Sequence, residues 1–278
     1  MIDLTQRDLR PEILDLPGTP MQEHRKALVG LARVNAVSRT SGQAWRAIKQ
    51  MAIARGLKTV SVLDIGCGGG DVPLDLQRRA LGVGLKMNVT GYDVSPTVVE
   101  YARAQALRAE QAHRKSADDR CRRVEFEVRD IFAAPPERPF DVVMCSLFLH
   151  HLDDARAATL LRTMGAAARR LVLVNDLVRS RLGYVAARVA LQFLSRNDIV
   201  HQDGPHSVAR AFRVDELRCL VDQVGWSDAR IRRIWPFRFL LSWEPPSTAH
   251  KAGRRRKVGV PVPTSPADVP SRASPTSV

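Results

Sequence analysis

The chain predicts an α/β fold built on a doubly wound sheet, and three observations carry that expectation. An apolar run climbs into a glycine cluster in VLDIGCGGGD, residues 62–71; further strand-like runs alternate with helical stretches behind it; and the last two strand-like runs stand side by side with no helix between them. Such an order puts ligands at the C-terminal edge of the strands.

The elements follow in order. Residues 1–20 hold Pro11, Pro17, Gly18 and Pro20 without periodicity and read as an irregular lead-in that carries no chemistry. From 21 to about 55, Leu28, Leu31, Val34, Val37 and then Trp45, Ile48, Met51 and Ala52 recur at helical spacing, broken near Thr40-Ser41-Gly42, so two helices precede the glycine turn. In that turn the glycines permit positive φ and close approach of a ligand to the main chain, and the first amides of the next helix offer unpaired donors. The third glycine of a dinucleotide fingerprint would fall on Asp71, and Gly70 is not followed by the Lys of a phosphate-binding loop, so both readings lose ground.

A helix over 72–80 leads to a second strand, MNVTGYD at 87–93. Its terminal Asp93 can accept two hydrogen bonds from a ribose diol, which supports an adenosine ligand in general, and Ser95-Pro96 marks the next helix start. That helix runs to about Arg114, and a charged loop enters VEFEVRD, the third strand, ending at Asp130-Ile131-Phe132. After a proline-marked turn, Phe140–Ser146 is nearly all apolar, as in a strand buried on both faces, and passes into LFLHHL. His150 and His151 are adjacent; on a helix they would point about 100° apart and could not easily share an ion, so no metal site is assigned. An alanine-rich helix over 153–170 precedes a fifth strand at 171–174, which opens at Asn175-Asp176.

An insertion over about 177–212 follows. Apolar positions 185, 186, 189, 190 and 193 form one face of a helix, with Arg181, Arg188 and Arg196 off it, predicting a lid that could also touch a membrane surface. Residues 201–207, including His206, read as a loop. A helix over 214–224 capped by Gly225, then strands at 228–235 and 237–243, complete a domain spanning 21–245. The Pro/Ser/Arg-rich stretch 246–278 is expected to be a disordered basic tail.

Composition narrows the class. The net charge is +14, but from His250 onward six basic residues face one acidic residue, and the other charges are spread along helix faces and loop ends. Four scattered cysteines with no CxxC pair support neither a disulfide framework nor a zinc site. No apolar run approaches the roughly 18 residues of a membrane span, and no secretory leader is legible, so a cytoplasmic protein is expected.

The segment Asp64-Ile65-Gly66-Cys67-Gly68-Gly69-Gly70 resembles motif I of the class I S-adenosylmethionine-dependent methyltransferases, and FDVV followed by LFLHHL is similar to the ubiquinone- and menaquinone-pathway methylases and related small-molecule methyltransferases. The resemblance covers roughly 28–243. It implies a Rossmann-like seven-stranded sheet, mostly parallel with one antiparallel strand, preceded by N-terminal helices and carrying a helical lid. It implies S-adenosyl-L-methionine as cofactor, held by Asp64, Gly66, Cys67, Gly68, Asp93, Val94, Asp130, Ile131 and Ser146, with Asp130 on the adenine amino group. Arg33, Asn35 and Arg39 are candidates for the cofactor carboxylate.

Methyl transfer from a sulfonium mainly needs alignment and a base for a phenol or enol, and His150, His151 and His206 are the candidates for that base. The leading function is transfer to O or C of a small aromatic, quinone-like or polyketide-derived acceptor; NDL at 175–177 and DGPHSVARAF at 203–212 are similar to methyltransferases encoded beside polyketide synthases. An RNA methyltransferase and a non-catalytic cofactor-binding module are the alternatives. The fourth strand lacks the Asn/Asp-Pro-Pro-aromatic motif of nucleic-acid amino-methylating enzymes, so nucleic acid is not expected as a partner.

Overall fold

A computed structural model of the chain describes residues 3–16, 20–112 and 124–246. Met1–Pro245 form one compact unit and Pro246–Val278 a second, of which only Pro246 is among the described residues; the expected tail lies outside them.

The helices α1 (Met21–Val37) and α2 (Thr40–Ala54) precede the strand β1 (Thr59–Ile65). Then α3 (Asp71–Leu81), β2 (Lys86–Asp93), α4 (Pro96–Ala112), β3 (Val124–Val128) and β4 (Phe140–Ser146) alternate. A 3-10 turn at Leu149–His151 leads into α5 (Asp154–Ala167) and β5 (Ala168–Leu177). The insertion is α6 (Arg181–Leu194) with α7 (Asp198–Arg210), and α8 (Val214–Gln223), β6 (Arg230–Ile234) and β7 (Arg238–Trp243) close the unit.

The seven strands lie in the order β3-β2-β1-β4-β5-β7-β6. All pairs from β3 to β5 are parallel, and β7 runs antiparallel to both of its neighbours, the one antiparallel strand expected. The register sets Ile65 beside Tyr92 and Cys145, and Ser146 beside Asn175, so the ends of β1, β2, β4 and β5 form one edge. One face of the sheet packs Leu160, Leu161, Met164 and Leu217 from α5 and α8; the other packs Ile48, Met51, Leu76 and Val99 from α2, α3 and α4. Side chains of this size, fully buried, each contribute about 1.5–3 kcal/mol.

Four local readings change. The break between α1 and α2, expected near Thr40-Ser41-Gly42, falls at Ser38-Arg39, where Arg39 has φ +52°, and those three residues open α2. Residues 201–207 belong to α7 and not to a loop: the Asn197 side chain accepts from the Val200 amide, and Gly204 sits where a Cβ would meet Leu191 of α6, so packing keeps Gly204-Pro205 helical despite their turn chemistry. The histidine pair lies on the 3-10 turn before α5, because Asp153 caps α5 by accepting from Arg156 N. The lead-in is structured too, with a 3-10 turn at Ile13–Asp15 whose Ile13 and Leu14 amides donate to Asp203 of α7.

Candidate functional site

A cavity of about 1210 Å³ lies over the common strand edge, roofed by α1 and α6. Its floor at one end is the glycine turn. Gly66, Gly68 and Gly70 have φ of +66°, +53° and +79°, a region that L side chains rarely adopt. A Cβ on Gly66 would lie 2.7 Å from the Phe148 ring, whereas one on Gly68 would meet nothing within 4 Å, so Gly68 leaves its main chain open to a ligand. Asp93 braces this turn: its Oδ2 accepts from Gly68 N and its Oδ1 from Ser95 N, both at 3.0 Å.

Three carboxylates surround the turn. Asp64 is 2% exposed, and its Oδ1 has no hydrogen-bond partner among the described residues. Burial, with Asp71 and Asp93 nearby, holds the Asp64 carboxyl well above the usual range. Burial likewise raises Asp71, which accepts from Asn35 Nδ2 at 3.0 Å. Arg238, first residue of β7 and 2% exposed, lines the same cavity. Its Nη1 donates to Thr40 Oγ1 at 2.5 Å, no carboxylate among the described residues lies within ion-pair distance, and burial pulls its pKa down to about 10. A buried carboxylate oxygen lacking a donor and a buried guanidinium lacking an anion, on one cavity, fit the ammonium and carboxylate of an amino-acid ligand.

Of the expected cofactor residues, Asp64, Gly66, Cys67, Gly68, Asp93, Val94, Asp130, Ile131 and Ser146 all line this cavity. Asp130 is exposed at its rim and accepts from Phe132 N, Ile131 is buried beside it, and Ser146 Oγ is buried without a partner among the described residues. Burial pushes the Cys67 thiol well up, so it is inert. Asn35 and Arg238 line the cavity; Arg33 and Arg39 do not. Arg238 carried a faint signal, a lone cation opening the apolar run RFLLSW after Pro236 and Phe237.

The other end of the cavity gathers distant segments. His150 is fully enclosed: its amide donates to Asp176 Oδ2 at 3.0 Å, its Nδ1 pairs with Asp176 Oδ1 at 2.7 Å, and its Nε2 lies 3.6 Å from Glu12 Oε1. Burial alone would lower its pKa, but Asp176 and Glu12 outweigh it and raise it to about 9. His151, half-buried on the cavity wall, stacks loosely on His150 with ring centroids 4.3 Å apart, and its Nε2 is 3.9 Å from Glu12 Oε2. Burial would raise Glu12, yet His150, His151 and Ser207 Oγ hold it down at about 2.

Sequence reasoning missed Glu12, which sits in a stretch with no pattern. Donor atoms of Glu12, His150 and His151 lie within 4.8 Å of one another, a grouping that could hold a metal ion and that adjacent histidines on an α-helix would not make. Arg7 ties the same lead-in down, bonding Asp154 and the Leu152 carbonyl at 2.7 Å each. His206 does not join them. It sits in α7 off the cavity wall, with Nε2 3.6 Å from Asp8 Oδ2.

A family model described as a methyltransferase domain matches residues 62–170. The ubiquinone biosynthesis O-methyltransferase of Vibrio campbellii is 25% identical over 214 residues, covering 76% of this chain and 80% of that one. The enzyme of the same name from Erwinia tasmaniensis is 30% identical over 183 residues, covering 64% and 66%. Among solved structures, an O-methyltransferase family protein from Burkholderia thailandensis superposes with a TM-score of 0.52 at 18% identity, covering 77% of this chain and 58% of that one, a likeness of fold.

Sheet order, glycine turn and relatives together define a methyl-transferring enzyme of the doubly wound class. The chain belongs to the class I S-adenosylmethionine-dependent methyltransferases, and S-adenosylmethionine is its cofactor.

Proposed function

We propose that the enzyme methylates an oxygen or carbon of a small aromatic, quinone-like or polyketide-derived acceptor. One observation carries this reading: beyond the glycine turn the chamber is walled by apolar groups, among them Leu28, Leu31, Phe148, Leu152, Leu191 and Val208, with His151 as a polar group on that wall. The curated relatives named above are ubiquinone-pathway O-methyltransferases, which agrees with such an acceptor.

S-adenosylmethionine supplies an electrophilic methyl on a sulfonium. Asp64 and the Gly66–Gly68 backbone would hold its amino end, Arg238 the carboxylate, Asp93 the ribose and Asp130 the adenine amino group, with Ile131 and Val94 flanking the ring and Cys67 behind the turn. Ser146, at the end of β4, marks where methyl and acceptor meet. His151 takes the acceptor's proton, and His150, already charged by its two carboxylates, positions that ring and cannot itself accept a proton near neutrality. His206, away from the wall, is set aside as the base.

The net charge of +14 favours RNA as a second reading. Labelled cofactor, offered with extracts of cells lacking the enzyme, separates the two: label is expected in organic solvent, and label in RNA overturns the small-molecule reading. With the acceptor in hand, His151→Ala should cut turnover by about 10² or more at unchanged S-adenosylhomocysteine affinity. Turnover within a few-fold of wild type would leave alignment as the whole of catalysis.

A further inference from the structure

The helix α6 carries its large side chains on the wrong side for a lid that only packs. At about 100° per residue, Leu182, Val185, Val189 and Phe193 form one stripe, and they are 74, 58, 55 and 85% exposed. The side turned to the cavity is mostly small, with Gly183, Ala186 and Ala187 among its lining residues. Hydrophobic burial alone favours the reverse arrangement.

The stripe does not end with the helix. Trp235 and Phe237, in the turn between β6 and β7, are 66 and 42% exposed, and a Cβ on Gly183 would lie 3.2 Å from Phe237, so the turn abuts the start of α6. Both aromatic residues also line the cavity, which therefore reaches the surface on this face. Charge accompanies it: from Leu177 to Asn197 there is no Asp or Glu, while Arg181, Arg188 and Arg196 are exposed beside the stripe, and Arg232 and Arg233 are exposed on β6.

We propose that this face docks on an anionic phospholipid surface. The axis of α6 lies along the interface, the Leu182–Phe193 stripe enters the acyl boundary, Trp235 sits at headgroup level, and the arginines meet phosphates. The arginines of a segment that holds no Asp or Glu from 177 to 197, against Asp3 near Arg181 and the exposed Asp198, leave this flank with an excess of positive charge that favours a phosphate-bearing surface over a neutral protein patch, and the cavity mouth on the same face lets an apolar molecule pass from lipid to enzyme without crossing water. Vesicle binding is read without an acceptor, so it stands or falls apart from the function proposed above.

The test is co-sedimentation of the full chain with vesicles of phosphatidylglycerol mixed into phosphatidylcholine, or of phosphatidylcholine alone, at low and high salt. Binding is expected to the anionic vesicles and to weaken with salt. The double variant Val189→Glu, Phe193→Glu should lower it by about tenfold or more, and Arg181→Gln and Arg188→Gln by about fivefold each. Unchanged S-adenosylhomocysteine affinity would show that the variants remain folded. Absence of binding to anionic vesicles overturns the proposal. So does binding that survives the double glutamate variant, which would move the contact to another basic stretch such as 251–257. A self-association lost in that variant, with no vesicle binding, would assign the face to a second copy.

Discussion

The two ends of the cavity are made in different ways. The cofactor end is written mostly in three short contiguous stretches, 64–71, 93–96 and 130–132, each a strand end with the turn that follows it, with Asn35 and Arg238 added from outside them, and the contact from Asp93 to Gly68 bridges neighbouring strands. The end proposed for the acceptor is assembled across the chain: Glu12 from the lead-in, His150 and His151 from the turn after β4, Asp176 from β5 and Ser207 from α7. A local device tolerates change elsewhere and is shared among many enzymes; an assembled one can be rebuilt by altering any contributor. The cofactor is therefore common to the class while the acceptor is particular to the chain.

The contrast can be broken hardest at the glycine turn. Gly66→Val forces a side chain into the Phe148 ring at φ +66°, and titration calorimetry should show S-adenosylhomocysteine affinity reduced by about a hundredfold or more with the far-ultraviolet spectrum unchanged. Retained affinity would place the cofactor elsewhere. A smaller effect sharpens where the local device ends. Arg238 comes from the last strand, and if it holds the cofactor carboxylate, Arg238→Met should weaken S-adenosylhomocysteine by about 1.5–3 kcal/mol. Methylthioadenosine, which lacks the amino-acid group, should bind as to wild type; equal loss for both ligands would mean that Arg238 only supports the fold.

The smallest effect concerns the assembled end. His150 is raised from 6.5 to about 9 by Asp176 and Glu12 against its burial, so the stability it contributes is fully present below pH 6.5 and is lost as pH rises through about 9. The facing groups are Asp176 on β5, Glu12 on the lead-in, His151 and the guanidinium groups of Arg7 and of Arg210 on α7, which both donate to the His150 carbonyl. Melting temperature should fall across that window in wild type, and Asp176→Asn should flatten the fall. A flat wild-type profile would show that the pair does not hold its proton.

How far the sequence discloses such a molecule depends on the range of the interaction. The alternation of strands and helices and the glycine turn were legible because apolar periodicity and turn chemistry act over a few residues, while the single antiparallel strand and the residues lining the cofactor end were legible through the motif resemblance those short stretches carry. Glu12 and Arg238 were not, since each has its meaning only through partners far along the chain: Arg238 meets Thr40 across 198 positions. The 201–207 stretch misled for a related reason. Gly204-Pro205 has the local signature of a turn, yet Gly204 is there to admit Leu191.

Phe148 stands between the two ends of the cavity. Its ring touches the place a Cβ would take on Gly66 and stands 6.5 Å from the ring of His151, so it is a partition common to both ligands. If a ligand in the glycine turn shifts that ring, the room on the His151 side changes with it. Occupancy of one side is then felt on the other, equally in both directions as linkage demands.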